Sequence, residues 1–197
     1  GGSGVVAVSY PVTSCSTAQT YVDDVFATYT YTGNGATTTI NNGIDLSTNG
    51  GMVWVKARNN TSSHALFDTV RGATHRLLSD STDAQTTYAA NKYLVSFNTD
   101  GFTTEETGAA AGFINGSTGN YSSWTFREAA SFFDVVTYTG NSTANTQIPH
   151  SLGITPGMII VKSTVGRVDS WFVWHRSTNG ETGNARLQLE STAAATN

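Results

Sequence analysis

The sequence holds one cysteine, three prolines and two methionines in 197 residues, and only 12% of its residues are charged. A lone thiol, Cys15, makes no intrachain disulfide and founds no cysteine-based metal site. Charged residues stand at half of the roughly 25% usual in globular chains. The ten basic ones are scattered, so the phosphate-contacting footprint of a nucleic-acid-binding protein is missing. No apolar run approaches the roughly 20 residues of a membrane-crossing helix, so membrane insertion is not expected. The opening GGSGVVAVSY has neither Met nor a basic stretch and does not read as a secretory signal. It reads as a tag remnant, a linker, or the start of a processed or partial chain.

What is present is a polar, β-prone chain. It has 32 Thr, 20 Ser, 20 Gly and 15 Asn, which together make up 87 of the 197 residues. Thr is β-branched and suits strands, whereas Gly and Asn suit turns. Hydrophobic content of 38% and aromatic content of 11% supply a core and exclude disorder. The expected fold is all-β and antiparallel. The length fits one large domain or two small ones.

An internal repeat organises the chain. FATYTYTGNGATTTI (26–40) is similar to FFDVVTYTGNSTANTQI (132–148), with Tyr31-Thr32-Gly33-Asn34 against Tyr138-Thr139-Gly140-Asn141. GGMVWVKAR (50–58) then aligns with PGMIIVKST (156–164), ALFD (65–68) with WFVW (171–174), and HRLLSDSTDA (75–84) with ARLQLESTAA (185–194). This predicts an N-terminal extension, linker or assembly strand over 1–24, a first β-sandwich unit over 25–130, and a second, incomplete copy over 131–197. The segment 93–129 has no counterpart in the second copy. The chain is expected either to continue past Asn197 or to have its second copy completed from elsewhere.

Strands are predicted at 25–32, 51–58, 64–70, 75–79, 92–98, 101–106 and 121–128, and in the second copy at FFDVVTYT, MIIVKST, SWFVWHR and ARLQLE. Their spacing, punctuated by Gly, Asn and Asp, points to a sandwich or barrel. NTDG (98–101) reads as a hairpin turn with Gly supplying positive φ. TGNG and TGNS read as a matching pair of turns. MVWVK and MIIVK are apolar on both faces, which predicts central strands covered on both sides.

The chemistry-bearing residues form no catalytic pattern. Asp23-Asp24 and Glu105-Glu106 are adjacent, and neighbours in a strand point to opposite faces, so neither pair can flank one glycosidic bond. They read as solvated charges. Asp80-Ser81-Thr82-Asp83 lacks the spacing of a calcium loop and reads as a capped turn. His64, His75, His150 and His175 show no zinc spacing, and no GxSxG elbow positions a serine. No catalytic residue, cofactor or metal is expected, and the chain is not expected to be an enzyme. Sequons at Asn59, Asn60, Asn115, Asn120 and Asn141 are compatible with exposed loops.

WFVWHR (171–176) is the most informative cluster. Alternation places Trp171, Val173 and His175 on one face and Phe172, Trp174 and Arg176 on the other. One face must be core. The other is either covered by a second sheet or subunit, or presents an aromatic and a cation to a sugar. Trp171, Trp174, His175, Arg176 and, from YSSWTFR, Trp124 are therefore candidates for a glycan or subunit interface. Val5, Val6, Val8 and Tyr10 are β-prone, and Pro11 suits the end of an edge strand. Residues 5–12 are expected to act as an assembly strand completing the second copy of the same or an adjacent chain.

The strings TYTGNG, GGMVWVKARNNTSSHALFDTVRGATHRLLSDSTDA, VSFNTDGF, SWTFREAASFFDVVTYTGN, HSLGITPGMIIVK and WFVWHR resemble an uncharacterised family of virion structural proteins. The family belongs to tailed bacteriophages, especially of marine and other aquatic bacteria. The similarity covers roughly residues 24–197. It implies a concanavalin-like, jelly-roll β-sandwich module, often repeated, in a tail- or fibre-associated virion protein, and it implies no catalytic residues. The expected function is a structural component of a tail, fibre or capsid appendage, exposed on the virion surface and active in host attachment. Its expected partners are further copies of itself, other virion proteins and a host cell-surface glycan. The alternatives are a lectin-like glycan-binding module and a polysaccharide-degrading tailspike domain.

Overall fold

The structure is a computed structural model and describes residues 20–108, 112–166, 168–178 and 185–194. A turn of helix, α1 (Val22–Val25), leads into β1 (Phe26–Thr32) and β2 (Thr38–Asn41). A second turn, α2 (Leu46–Asn49), is capped by Asp45, whose carboxylate accepts the Thr48 N–H. The strands β3 (Gly51–Ala57), β4 (Ala65–Asp68), β5 (His75–Leu78), β6 (Thr86–Thr87), β7 (Tyr93–Asn98), β8 (Gly101–Glu105) and β9 (Asn120–Arg127) follow. The chain then runs through β10 (Met158–Val161), β11 (Phe172–His175) and β12 (Leu187–Gln188). Every named ladder is antiparallel.

The strands make three sheets, in the orders β1-β9-β3-β4-β5-β6, β2-β8-β7 and β10-β11-β12. The first two face each other as an all-β sandwich. Alternation along β3 puts Val53, Val55 and Ala57 inward, where they join Ala65, Phe67 and Tyr121 against Ile40, Leu94 and Phe102 of the opposite sheet. Met52 and Trp54 point the other way. With Leu66 and Leu77 they meet Trp171 and Leu189, so the third sheet packs on the outer face of the first. The hairpin between β7 and β8 pairs Asn98 with Gly101. Gly101 has φ +112°, and a Cβ there would run into the Ile40 carbonyl oxygen.

The all-β sandwich expected from composition and strand spacing is present, and MVWVK is covered on both faces. MIIVK is not. Among the described residues β10 pairs with β11 alone, and Met158, Ile159 and Ile160 are 55, 44 and 41% exposed. Its apolar residues satisfied the pattern for a central strand, but no described strand lies on its other side. FFDVVTYT, expected as a strand, has no ladder either: Phe133 makes a single bridge to Ala129, and Val136 and Tyr138 are exposed. The matching run in β1 becomes a strand because all seven of its residues pair with β9, and no described segment does this for 132–139.

Three details correspond between the two parts of the chain once ALFD (65–68) is set against FVWH (172–175), one residue later than the WFVW of the sequence alignment. Met52 faces Asp68 and Val55 faces Ala65, as Met158 faces His175 and Val161 faces Phe172. Leu66 faces Leu77, as Val173 faces Leu187. Gly35 has φ +68°, and Ser142, at the aligned position of TGNS, has φ +58°.

Glu106, expected in solvent, is buried. Its carboxylate accepts the N–H groups of Phe113 at 2.8 Å, Ile114 at 2.9 Å and Asn115 at 2.8 Å. Asn115 is itself fully buried, so its sequon does not lie in an exposed loop. Tyr121 closes the same loop, accepting from the Gly116 N–H at 2.8 Å and donating to the Gly112 carbonyl at 3.0 Å. Glu106→Ala would strand three backbone donors, each costing about 1–3 kcal/mol when buried without a partner. We expect urea unfolding of this variant to show a loss of at least about 3 kcal/mol, with Glu106→Gln intermediate.

Candidate functional site

The third sheet carries the WFVWHR cluster, and its docking decides which of those side chains are available. Trp171 is 6% exposed. Its indole N–H is shared between the Leu78 carbonyl at 2.9 Å and the Ser81 carbonyl at 3.2 Å. Its backbone N–H donates to the Glu190 carboxylate at 3.1 Å. Two further bonds tie this sheet to the segment after β5: Lys162 Nζ to the Thr82 carbonyl at 3.1 Å, and the Gln85 N–H to the Thr164 carbonyl at 3.0 Å. Burial lowers the Lys162 pKa against the opposing pull of Asp169, Glu190 and Asp83. For Glu190, burial acts upward. Hydrogen bonds at its carboxylate, beginning with Ser170, and the Lys162 charge outweigh it, so its pKa lies below the usual value.

The alternation read from the sequence holds, with Trp171 and Val173 buried on one face and Phe172 exposed on the other. Trp171 is engaged in the contact between sheets and offers no ring to a ligand. Trp124 lies on the outer face of the six-stranded sheet, half-buried and edge-on to Trp54 at 6.1 Å between centroids. It belongs to a different surface from Trp174 and Arg176. His175 is half-buried, and its Nδ1 accepts the Ser177 N–H at 3.1 Å. Arg176 is exposed, with its guanidinium over Gly157 at the start of β10. Val5, Val6, Val8 and Tyr10 lie outside the described residues.

The outward side of the third sheet therefore carries exposed Phe172 and half-buried Trp174 of β11, with exposed Ile159 and half-buried Val161 of β10 paired beside them. The Arg186 guanidinium sits 4.9 Å from the Phe172 ring centroid. Arg186 and Ile159 were missed as site residues. Arg186 is 14 positions from Phe172 in sequence, and only the pairing of β11 with β12 brings them together. The residues at the same ladder positions beside β3, Val53, Val55, Ala65 and Phe67, are fully buried beneath β2-β8-β7. This apolar, aromatic and cationic surface can stack a flat ring or bury an apolar partner. It presents no group poised for bond cleavage.

Elsewhere, burial raises the Glu128 carboxyl pKa, helped by the charges of Asp134 and Asp68. Asp68 is held by Arg71 at 2.6 Å, and Asp134 accepts the Ser151 N–H. Among the described residues, no group of three or more His, Cys, Asp and Glu side chains could hold a metal, and no helix is long and apolar enough to cross a membrane.

A family model described as a domain of unknown function (DUF7483) matches residues 22–197. No curated protein and no solved structure matches the chain.

Two measurements test how this surface is held. Trp171→Ala should cost about 3–5 kcal/mol, as for other buried Trp truncations, and should make the 158–190 region the first site of limited proteolysis. The second measurement concerns His64, whose Nδ1 accepts the Trp54 indole N–H at 3.2 Å and must be unprotonated to do so. Burial is the largest influence and lowers its pKa below 6.5; Asp80 opposes this and Lys56 reinforces it. Below pH 6.5 the unfolded chain binds a proton that the folded ring refuses, so stability is lost as pH falls from 6.5 towards the folded pKa. Thermal melts taken on either side of that window should fall with acidification in the native chain, and fall less in His64→Gln.

Proposed function

The chain belongs to this DUF7483 family, and from its resemblance to tailed-phage virion proteins we propose that it is a structural component of a bacteriophage virion. It sits at the virion surface in a tail, fibre or capsid appendage, associates with further copies of itself and other virion proteins, and takes part in host attachment. The observation that carries this reading is the exposed pair Ile159 and Phe172 on the outward face of the third sheet. Its counterpart in the first unit is core, so such a surface calls for a partner. The low charge, the Thr-rich all-β fold and the resemblance to tailed-phage virion proteins support the same reading. We also read the two meanders, β3-β4-β5 and β10-β11-β12, as copies of one unit. The coincidence of their registers, and of the left-handed residues Gly35 and Ser142, supports a duplication.

A second reading rests on Phe172 with Arg186 over its ring and Trp174 beside it: a lectin-like module that stacks a host-surface sugar. In either case the protein works by binding and not by catalysis, and it uses no cofactor.

Immunogold labelling of phage particles with antibodies to the chain should decorate a tail or capsid appendage, and labelling confined to non-structural fractions would reject the virion role. Light scattering should give a mass above the 20.8 kDa of one chain, with Phe172→Glu returning it to monomer. Binding on a glycan array that disappears in Phe172→Ala, with the mass unchanged, would favour the lectin reading. Hydrolysis of a host polysaccharide, lost on changing one acid, would reject both.

A further inference from the structure

The strand β10 occupies the place in its meander that β3 occupies in the first, and the two differ in what lies on their second side. β3 is hydrogen-bonded to β4 and, from Gly51 opposite Arg127 to Ala57 opposite Tyr121, to β9. β10 is hydrogen-bonded to β11, and no described strand pairs with its other edge. Exposed edges are normally blunted by charge, proline or a bulge. From Met158 to Val161 this edge has none of these. Among the described residues its outer backbone groups have no ladder partner, and they lie beside the exposed side chains of Met158, Ile159 and Ile160.

We propose that this edge is completed by the chain's own segment Val5–Val12, added to β10 as a strand in the position β9 takes beside β3. The occupant must be extended, β-prone, uncharged and not already committed to a ladder. The β-prone runs of β1, β3, β4, β5, β7, β8, β9 and β11 are all paired. The run 132–138 carries Asp134 and is held by the Ala129–Phe133 bridge and by Ser151. Val5-Val6-Ala7-Val8-Ser9-Tyr10-Pro11-Val12 meets the requirement, with four valines, a tyrosine and no charge. Pro11 falls at the strand's end, where a missing N–H is tolerated. Eight residue steps from Val12 to Thr20 span up to about 28 Å. The four strand spacings from β1 to β5, about 19 Å, combined with the roughly 10 Å between packed sheets, make a diagonal of about 21 Å. The segment can therefore reach the third sheet from the start of its own chain, and tethering favours it over a second copy. The inference rests on reading the two meanders as copies and is independent of the virion role.

Amide hydrogen exchange tests it in the full chain and in a chain lacking residues 1–12. The amides of β10 should exchange at least about tenfold faster after the deletion, while those of β3 stay protected. Val6→Pro combined with Ala7→Pro, in the otherwise intact chain, should reproduce the deletion, because adjacent prolines remove an N–H from both sides of the strand. A synthetic VVAVSYPV peptide should restore protection to the shortened chain. Equal exchange in the full and shortened chains overturns the proposal. So does protection that appears only as the protein is concentrated and its mass doubles, which would assign the edge to a second copy. Loss of β10 protection on deletion, alongside absent virion labelling, would reject the virion role and leave the strand assignment standing.

Discussion

The structure depends on one strand being hydrogen-bonded on both sides. β9 sits between β1 and β3 and pairs along the full length of each. It also supplies Tyr121, a fully buried aromatic of the core, which stacks on Tyr31 with centroids 5.2 Å apart. Removing β9 in thought leaves β1 with no partner and β3 as an edge. The loop before it is correspondingly well fixed, with three backbone N–H groups on the Glu106 carboxylate and the Tyr121 hydroxyl bridging Gly112 and Gly116. A buried carboxylate is costly unless its lone pairs are satisfied, and here the satisfied charge locates the start of the central strand.

The later part of the chain shows the same rule in reverse. Residues 26–32 and 133–139 share a residue pattern, yet one run is a seven-residue strand and the other is not. β-propensity describes fitness for a pleated, half-buried surface and needs a neighbour to take effect. For that reason alternation predicted β1, β3, β4, β5, β7, β8 and β9 well, and placed Trp171 and Phe172 on opposite faces. It misread MIIVK as central, because an apolar pattern does not reveal whether a strand lies on the far side. β2 and β6 were missed because Thr38–Asn41 and Thr86–Thr87 are short and polar, and only their partners β8 and β5 make them strands. Glu106 was read as solvated because its three donors come from a loop seven to nine residues away, a distance that no local motif encodes. Of the candidate surface, Trp174 and Arg176 were legible from alternation, whereas Arg186 needed the ladder between β11 and β12.

The middle sheet is covered unevenly. Its inner face meets a complete partner sheet, while on its outer face Met52, Trp54, Leu66 and Leu77 pack against Trp171 and Leu189. Beside that contact, Phe126 is covered by Phe133 and Phe132, with centroids 5.3 and 6.5 Å away. The segment following β9 thus folds back over β9 itself. A buried arginine plays the equivalent part at the other end of the sandwich: Arg76 of β5 lies 3.9 Å from the Phe113 ring centroid, with Tyr88 and Tyr93 around it. Aromatic faces there take the place of a carboxylate partner in holding a cation within the fold.

The position of β9 in the chain also sets a timetable. Phe26 pairs with Phe126, and Thr32 with Asn120, so β1 is made long before the strand that will hold it. At a synthesis rate of about 5–20 residues per second, the uncharged run FATYTYT waits on the order of 5–20 s for its partner. Until then it is a bare, β-prone segment of the kind that pairs with its like on neighbouring nascent chains. Such non-local closure places this chain among slow-folding topologies. Crowding of nascent chains on one messenger is therefore the circumstance in which it is most exposed to mispairing, well before any mature surface has formed.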